Sequence, residues 1–182
     1  MIPKAANKSE IADLDDDLSD DLGPFFAIIE SAQGLLNAAE IFSVGRVKLG
    51  MYGAVDYAGD VGCDLSWESH LYARSHCVAA ATVHDVQLFD VPHIHVRDLD
   101  DCEATTRRAK ALGIYARSAI HPAQIARIHA AFSPSAEEVE KAKRIIEAYQ
   151  SAGGNVALLD GKFIEAPVVK SAQRVLAFAN RD

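Results

Sequence analysis

Residues 25–56 read FFAIIESAQGLLNAAEIFSVGRVKLGMYGAVD. Phe25 to Ile29 is a short, partly β-branched apolar run that stops on Glu30, and Val47 to Tyr52 is a second run that stops on Gly53 with Asp56 just beyond. Between them Leu35, Leu36, Ala39 and Phe42 recur at helical spacing, which predicts a helix over 32–42. Strand, helix, strand is a βαβ unit. Its two strands run parallel and deliver both carboxylates to the same, C-terminal edge of the sheet, the edge where α/β folds keep their chemistry. Two hard oxygen ligands there suit Mg²⁺, which takes one or two carboxylates and completes its shell with waters and substrate oxygens. The alternative is a pair of solvated loop acids.

Upstream, Ile2-Pro3-Lys4 has the look of a strand end, with Pro3 placed where no ladder donor is needed. Lys4 then lies at the same edge as Glu30, or is an ordinary surface lysine. Glu10 to Asp21 is dense in acids and lacks a base, and Leu14, Leu18 and Leu22 recur every four residues. This predicts a short amphipathic helix with a solvated acidic face, broken by Gly23-Pro24.

Downstream of Asp56, YAGDVGCDL reads as a glycine-containing loop. Ser66 is placed to cap a helix from Trp67 to about Thr82, with His70, His76 and His84 as surface or capping histidines. Val86 to Phe89 is the next strand and ends on Asp90; His93 and His95, two apart, would share a face if extended and could form a metal pair. Asp98 caps a helix to Leu112 that stops at Gly113. Ile114 to Ile120 is a further strand ending at His121-Pro122, and Arg117 inside it must face an anion or solvent. A helix over 123–131 follows. Ser135 and Glu138 form a capping box for a helix to about Tyr149. Asp160-Gly161, between the apolar runs Val156–Leu159 and Phe163–Ile164, predicts a hairpin, and a last helix runs over 168–179.

The strand-like segments 1–4, 25–29, 47–52, 86–89 and 114–120 are all separated by helical patterns, which predicts an α/β fold with a parallel sheet covered by helices. No G-x-G-x-x-G follows any strand, so a dinucleotide fold loses weight. The 182 residues correspond to about one domain. A net charge of −8 argues against nucleic acid or a membrane surface as partner. No apolar run approaches the roughly 18 residues that span a bilayer. Cys63, Cys77 and Cys102 are widely spaced without a C-x-x-C, which reads as reduced thiols in a cytoplasmic compartment.

IIESAQGLLNAAEI, LGMYGAVDYAGDVG, SAIHPAQI, AFSPSAEEV and LDGKFIEAPVV together resemble the citrate lyase β-subunit-like family of the HpcH/HpaI aldolase superfamily, which includes malyl-CoA and citramalyl-CoA lyases. The resemblance covers nearly the whole chain and is more specific for the superfamily than for the substrate. It implies a TIM-barrel-type β/α repeat, here incomplete with about five of eight strands over 1–132, and a C-terminal helical lid or oligomerisation segment over 133–182. It implies Mg²⁺ held by Glu30 and Asp56. Arg117, His121 and Pro122 match a stretch near where the family binds coenzyme A, and Lys4 joins them as a substrate-binding residue. Glu165 matches the lid acid that serves as acid/base, often toward a neighbouring subunit; the family has an Asp there, one methylene shorter. The family's first three strands, with an acidic motif and an oxoacid-gripping arginine, have no counterpart here. The expectation is a fragment, a second chain that covers the gap, or a lid and acidic segment folded over it.

Two functions are expected from this. One is a Mg²⁺-dependent carbon–carbon lyase acting on a 3-hydroxyacyl-CoA, in a homo-oligomer whose ligand is an acyl-CoA or an oxoacid. The other is a catalytically degenerate paralogue that binds an oxoacid or CoA ester, or serves as an interaction subunit.

Overall fold

The computed structural model describes residues 1–19 and 22–180. The chain divides into two compact units, Met1–Ile128 and His129–Asp182. The first is an α/β unit, built on a four-stranded parallel sheet in the order β1 (Phe25–Ile29), β2 (Val47–Tyr52), β3 (Gln87–Asp90), β4 (Ala116–Arg117). Consecutive strands are neighbours because each is followed by helix, the connection that parallel pairing requires. Among the described residues no helix is long and apolar enough to cross a membrane.

Met1–Lys4, expected as a strand, is reduced to one parallel bridge between Ile2 and Ala27. Ile2 donates to the Phe26 carbonyl (2.7 Å) and accepts from the Ile28 N–H (2.9 Å). Pro3 has no N–H to continue the ladder, and Lys4 turns away at φ 50°. The acidic segment forms α1 (Lys8–Asp17), shorter than expected; Asp20 and Asp21, the rest of that expectation, lie outside the described residues.

The single helix expected over 32–42 is two, α2 (Ala32–Leu36) and α3 (Ala38–Phe42). Asn37 separates them, because its side-chain amide donates to the Ala6 carbonyl (2.8 Å) and to Asn7 Oδ1 (3.3 Å). The segment after Asp56 is also a correction: it is a helix, α4 (Ala54–Val61), stopped by left-handed Gly62. The next helix, α5 (Leu71–Val83), starts four residues later than Trp67. Asp64 Oδ1 gathers the Ser66 N–H and the hydroxyls of Ser66 and Ser69, so 64–69 is spent as a turn before the helix begins.

β3 is shifted one residue beyond expectation, because the Val86 N–H closes the end of α5 on the Ala81 carbonyl (2.9 Å). α6 (Leu99–Leu112) has the expected Asp98 cap and Gly113 stop. β4 is far shorter than the expected 114–120. The Ile114 N–H is taken by the Ala109 carbonyl at the end of α6, and the Ile120 N–H by Gln124 Oε1. α7 (Pro122–Phe132) follows.

The core of this unit lies between the sheet and its helices: Ala27, Ile29, Val47 and Leu88 with Ile41, Phe42, Ala73 and Cys77. Gly50 is required on β2, since a Cβ there would stand 2.8 Å from the Phe42 ring. The second unit holds α8 (Ala136–Ser151), opened by the expected Ser135–Glu138 capping box, then the hairpin β5 (Ala157–Leu159) and β6 (Lys162–Ile164), then α9 (Ala166–Ala179), which packs on α8. Asp160 and Gly161 at the hairpin tip have φ of 50° and 75°, the paired positive values of a type I′ turn.

Candidate active site

Glu30 follows β1 at the C-terminal edge of the sheet, and Asp56 lies in the first turn of α4, just beyond the same edge of β2. Lys4 joins them. Its backbone N–H donates to Glu30 Oε1 at 2.8 Å, and its ammonium lies 3.8 Å from Asp56 Oδ1. One left-handed residue therefore addresses both carboxylates. Asp56 also benefits from the positive end of α4. Asp60, one turn further along α4, accepts from the Ala32 N–H at 2.7 Å and ties the helix to the loop that carries Glu30. Glu30 is half-buried and Asp56 exposed.

Gly53 makes this edge possible. A Cβ at that position would stand 2.6 Å from Glu30 Cβ and 2.7 Å from Glu30 Oε2, so the carboxylate occupies the space a side chain would fill. Among the described residues no group of three or more His, Cys, Asp or Glu is placed to hold a metal. The donor set is two carboxylates with room for waters and ligand oxygens, which fits Mg²⁺ and does not fit a zinc-type cage.

The other expected site residues are placed elsewhere. Arg117 ends β4, at the far side of the strand order from β1. It is buried, and among the described residues no carboxylate forms an ion pair with it. Nε donates to the Val91 carbonyl (3.0 Å), and Nη1 to the Cys102 carbonyl (3.2 Å), Thr105 Oγ1 (2.8 Å) and Thr106 Oγ1 (2.9 Å). Burial, opposed by the Asp90 charge, lowers its pKa from the ordinary arginine value. His121 is exposed, with Nδ1 accepting from the Ala123 N–H (3.1 Å), and Pro122 begins α7, where its missing N–H costs nothing. In the second unit Glu165 is the exposed N-cap residue of α9, and its side chain makes no capping hydrogen bond.

Two features were missed in the sequence. Asp90, read as a third strand-end acid, is fully buried and paired with Arg74 Nε at 2.8 Å. The Arg74 guanidinium also stacks on Trp67, 4.4 Å from the ring centroid. His70 stands at the N-cap of α5, one of the two expected places, but it is buried and its side chain makes no cap there. Its Nε2 lies 2.8 Å from the Asp64 carbonyl, which only accepts, so the ring carries its proton there; Nδ1 then accepts from the Tyr52 hydroxyl at 2.5 Å. Burial lowers the His70 pKa, and it raises that of Tyr52. An arginine seven residues after a tryptophan, facing an acid at a strand end, was the available signal; α5 starting late hid it. The rings of His93 and His95 meet edge-on at 5.8 Å, and among the described residues no third His, Cys, Asp or Glu joins them in a metal-holding group.

A family model described as HpcH/HpaI aldolase/citrate lyase matches residues 17–122. The chain is similar to a (3S)-malyl-CoA thioesterase of Cereibacter sphaeroides strain KD131, 34% identical over 190 residues that cover 98% of this chain and 64% of that protein. It is similar to the citrate lyase subunit beta of Haemophilus influenzae, 31% identical over 190 residues, 96% of this chain and 65% of that one. It is also similar to the crystal structure of CitE from Mycobacterium tuberculosis in complex with magnesium, acetoacetate and coenzyme A, with a TM-score of 0.85 and 25% identity over 98% of this chain and 67% of that one. The chain spans 64% of the length of the first curated relatives it matches.

Proposed function

The chain belongs to the HpcH/HpaI aldolase/citrate lyase family, and from that premise we propose that it is a Mg²⁺-dependent carbon–carbon lyase acting on a 3-hydroxyacyl-CoA such as malyl-CoA or citramalyl-CoA. The observation that carries the reading is the pair Glu30 and Asp56, brought to one sheet edge around Lys4 with Gly53 leaving room for the carboxylate. Similarity to a protein crystallised with magnesium, acetoacetate and coenzyme A supports the cofactor and the ligand class. The parallel sheet is read as part of a TIM-type barrel, incomplete in this chain, and the second unit as its lid.

Glu30 and Asp56 would hold the Mg²⁺, which when bound would supply Lewis-acid stabilisation of charge on the oxoacid oxygens. The reaction itself is a retro-aldol (Claisen-type) cleavage of the 3-hydroxy thioester. A base removes the 3-hydroxyl proton, and the bond between C2 and C3 breaks. The hydroxyl carbon leaves as the carbonyl of an oxoacid, and the thioester enolate takes up a proton at C2. Glu165 is the proposed acid/base for these proton transfers, Lys4 the cation that orients the oxoacid carboxylate, and Arg117, His121 and Pro122 the contacts for the CoA ester.

A second reading is that the chain binds oxoacid or CoA ester without turnover. It is favoured by the Lys4 ammonium, 3.8 Å from Asp56 Oδ1, a cation that competes with a metal for that carboxylate. One experiment separates the readings. Malyl-CoA or citramalyl-CoA is incubated with Mg²⁺, and oxoacid and free thiol are both assayed. Oxoacid release that Glu30→Gln removes is the expected result. Free thiol alone would mean hydrolysis of the thioester, the activity named for the Cereibacter relative. Binding without either product would establish the non-catalytic reading.

A further inference from the structure

The interior of the first unit carries an unbalanced charge. Among the described residues three ionised side chains are buried: Arg74 (5% exposed), Arg117 (8%) and Asp90 (0%). Asp90 Oδ1 pairs with Arg74, and the same carboxylate is, among the described residues, the one buried counter-charge that also acts on Arg117, so a single acid serves two guanidiniums. Arg117 has no carboxylate within 4.0 Å among the described residues, and its recorded partners are carbonyls and hydroxyls. Those satisfy Nε and Nη1 but leave its charge. A buried charge that shares its only buried counter-charge with a second arginine is costly.

Arg74 and Arg117 line one cavity of about 370 Å³ together with His93, Trp67 and Arg108, within the usual size range of small-molecule pockets, if at its lower end. His93 is 6% exposed, and its Nε2, like Arg74 Nη1 and Asp90 Oδ2, is buried without a hydrogen-bond partner. Arg108 stacks on Trp67, 4.4 Å from the ring centroid, and pairs with the exposed Glu68. Asp101, the other acid on the wall, lies 3.7 Å from His93 Nδ1, but its side chain is 52% exposed and screened by water.

We propose that this cavity binds a small molecule through an oxyanion, a carboxylate or a phosphate, which supplies Arg117 with a counter-charge of its own and the His93 imidazole with a partner. The site is separate from the Glu30–Asp56 pair, whose charge would repel such a group. Because Arg117 is also the residue proposed above to meet the CoA ester, the inference rests on that part of the reading, and the Glu30→Gln control tells its failure from failure of the lyase reading.

Trp67, the only tryptophan of the chain, lines the cavity and reports on it. Its fluorescence would be titrated with inorganic phosphate and, separately, with acetate, in Mg²⁺-free buffer with chloride compensating ionic strength. The expected result is a saturable change. Arg117→Met and His93→Ala should each weaken it tenfold or more, and Glu30→Gln should leave it unchanged. His93→Ala keeps the main-chain carbonyl that accepts from Gln124, so it decides the matter if Arg117→Met fails to fold. A response to phosphate alone assigns a phosphate ester, to acetate alone a carboxylic acid; either supports the site. No saturable response to either ion, a response untouched by both cavity variants, or one abolished by Glu30→Gln would overturn it.

Discussion

Gly53 shows how much of the candidate site rests on one missing side chain. Gly53→Ala puts a Cβ within 2.6–2.7 Å of Glu30, and Ile28 Cγ2 stands at 3.3 Å on the other side. Glu30 must move. The expected outcome is a loss of stability of about 1–3 kcal/mol from overpacking, with Mg²⁺ affinity reduced at least tenfold; urea unfolding and calorimetric titration measure the two effects. His70 sets a pH dependence. Burial is the larger cause holding its pKa down, against the hydrogen bond to Asp64, and burial followed by the Arg117 charge does the same for His93. The unfolded chain then takes up protons first, at about pH 6.5. Stability from the two neutral rings is complete above that value and falls as pH drops through it toward the folded pKa. Urea midpoints from about pH 8 to about pH 5 should decline, and His70→Gln should flatten the decline. The lowered carboxylates, Asp64 at about 2 with Glu68 and Glu103 also depressed, titrate below that window and do not obscure it.

At the scale of elements, the interruption between α2 and α3 is the informative one. Asn37 leaves the helical conformation (φ −95°, ψ 6°) and reaches the Ala6 carbonyl, so it holds the segment that presents Lys4. Asn37→Ala is expected to cost about 0.5–1.5 kcal/mol for the lost hydrogen bond. It should also weaken Mg²⁺ binding without touching either carboxylate; the readouts are a urea midpoint and a Mg²⁺ titration. Local patterning had captured β1, β2, α6, α8 and the hairpin, because each is bounded by its own punctuation: an acid, a cap, a glycine or a D-G turn. It missed α4, where three glycines in ten residues, at 53, 59 and 62, read as loop while Ala54 and Ala58 bury a face. It overextended β4, because the donors that end that strand are captured by Ala109 and Gln124, partners contributed by helices that a strand pattern does not contain.

For the whole molecule, charge and apolar exposure point in different directions. The net charge of −8 keeps chains apart, yet on the hairpin of the second unit Leu158 and Phe163 face each other across the strands and are 66% and 72% exposed. Homo-oligomerisation through that hairpin is the proposal this supports. Sedimentation is expected to give a species heavier than the 19.6 kDa monomer, and Leu158→Lys with Phe163→Lys should return it to the monomer. The sequence by itself determined the order of helix and strand and the two carboxylates that follow β1 and β2, because short-range periodicity and chain punctuation dictate both. The motifs it carries also pointed to the family. Only the tertiary structure decided that Lys4 spans those carboxylates, that Asp90 pairs with Arg74, and that Arg117 is buried without an ion pair of its own. Those three facts depend on residues 16 to 52 positions apart meeting in space, and on a low-dielectric interior that no local pattern encodes.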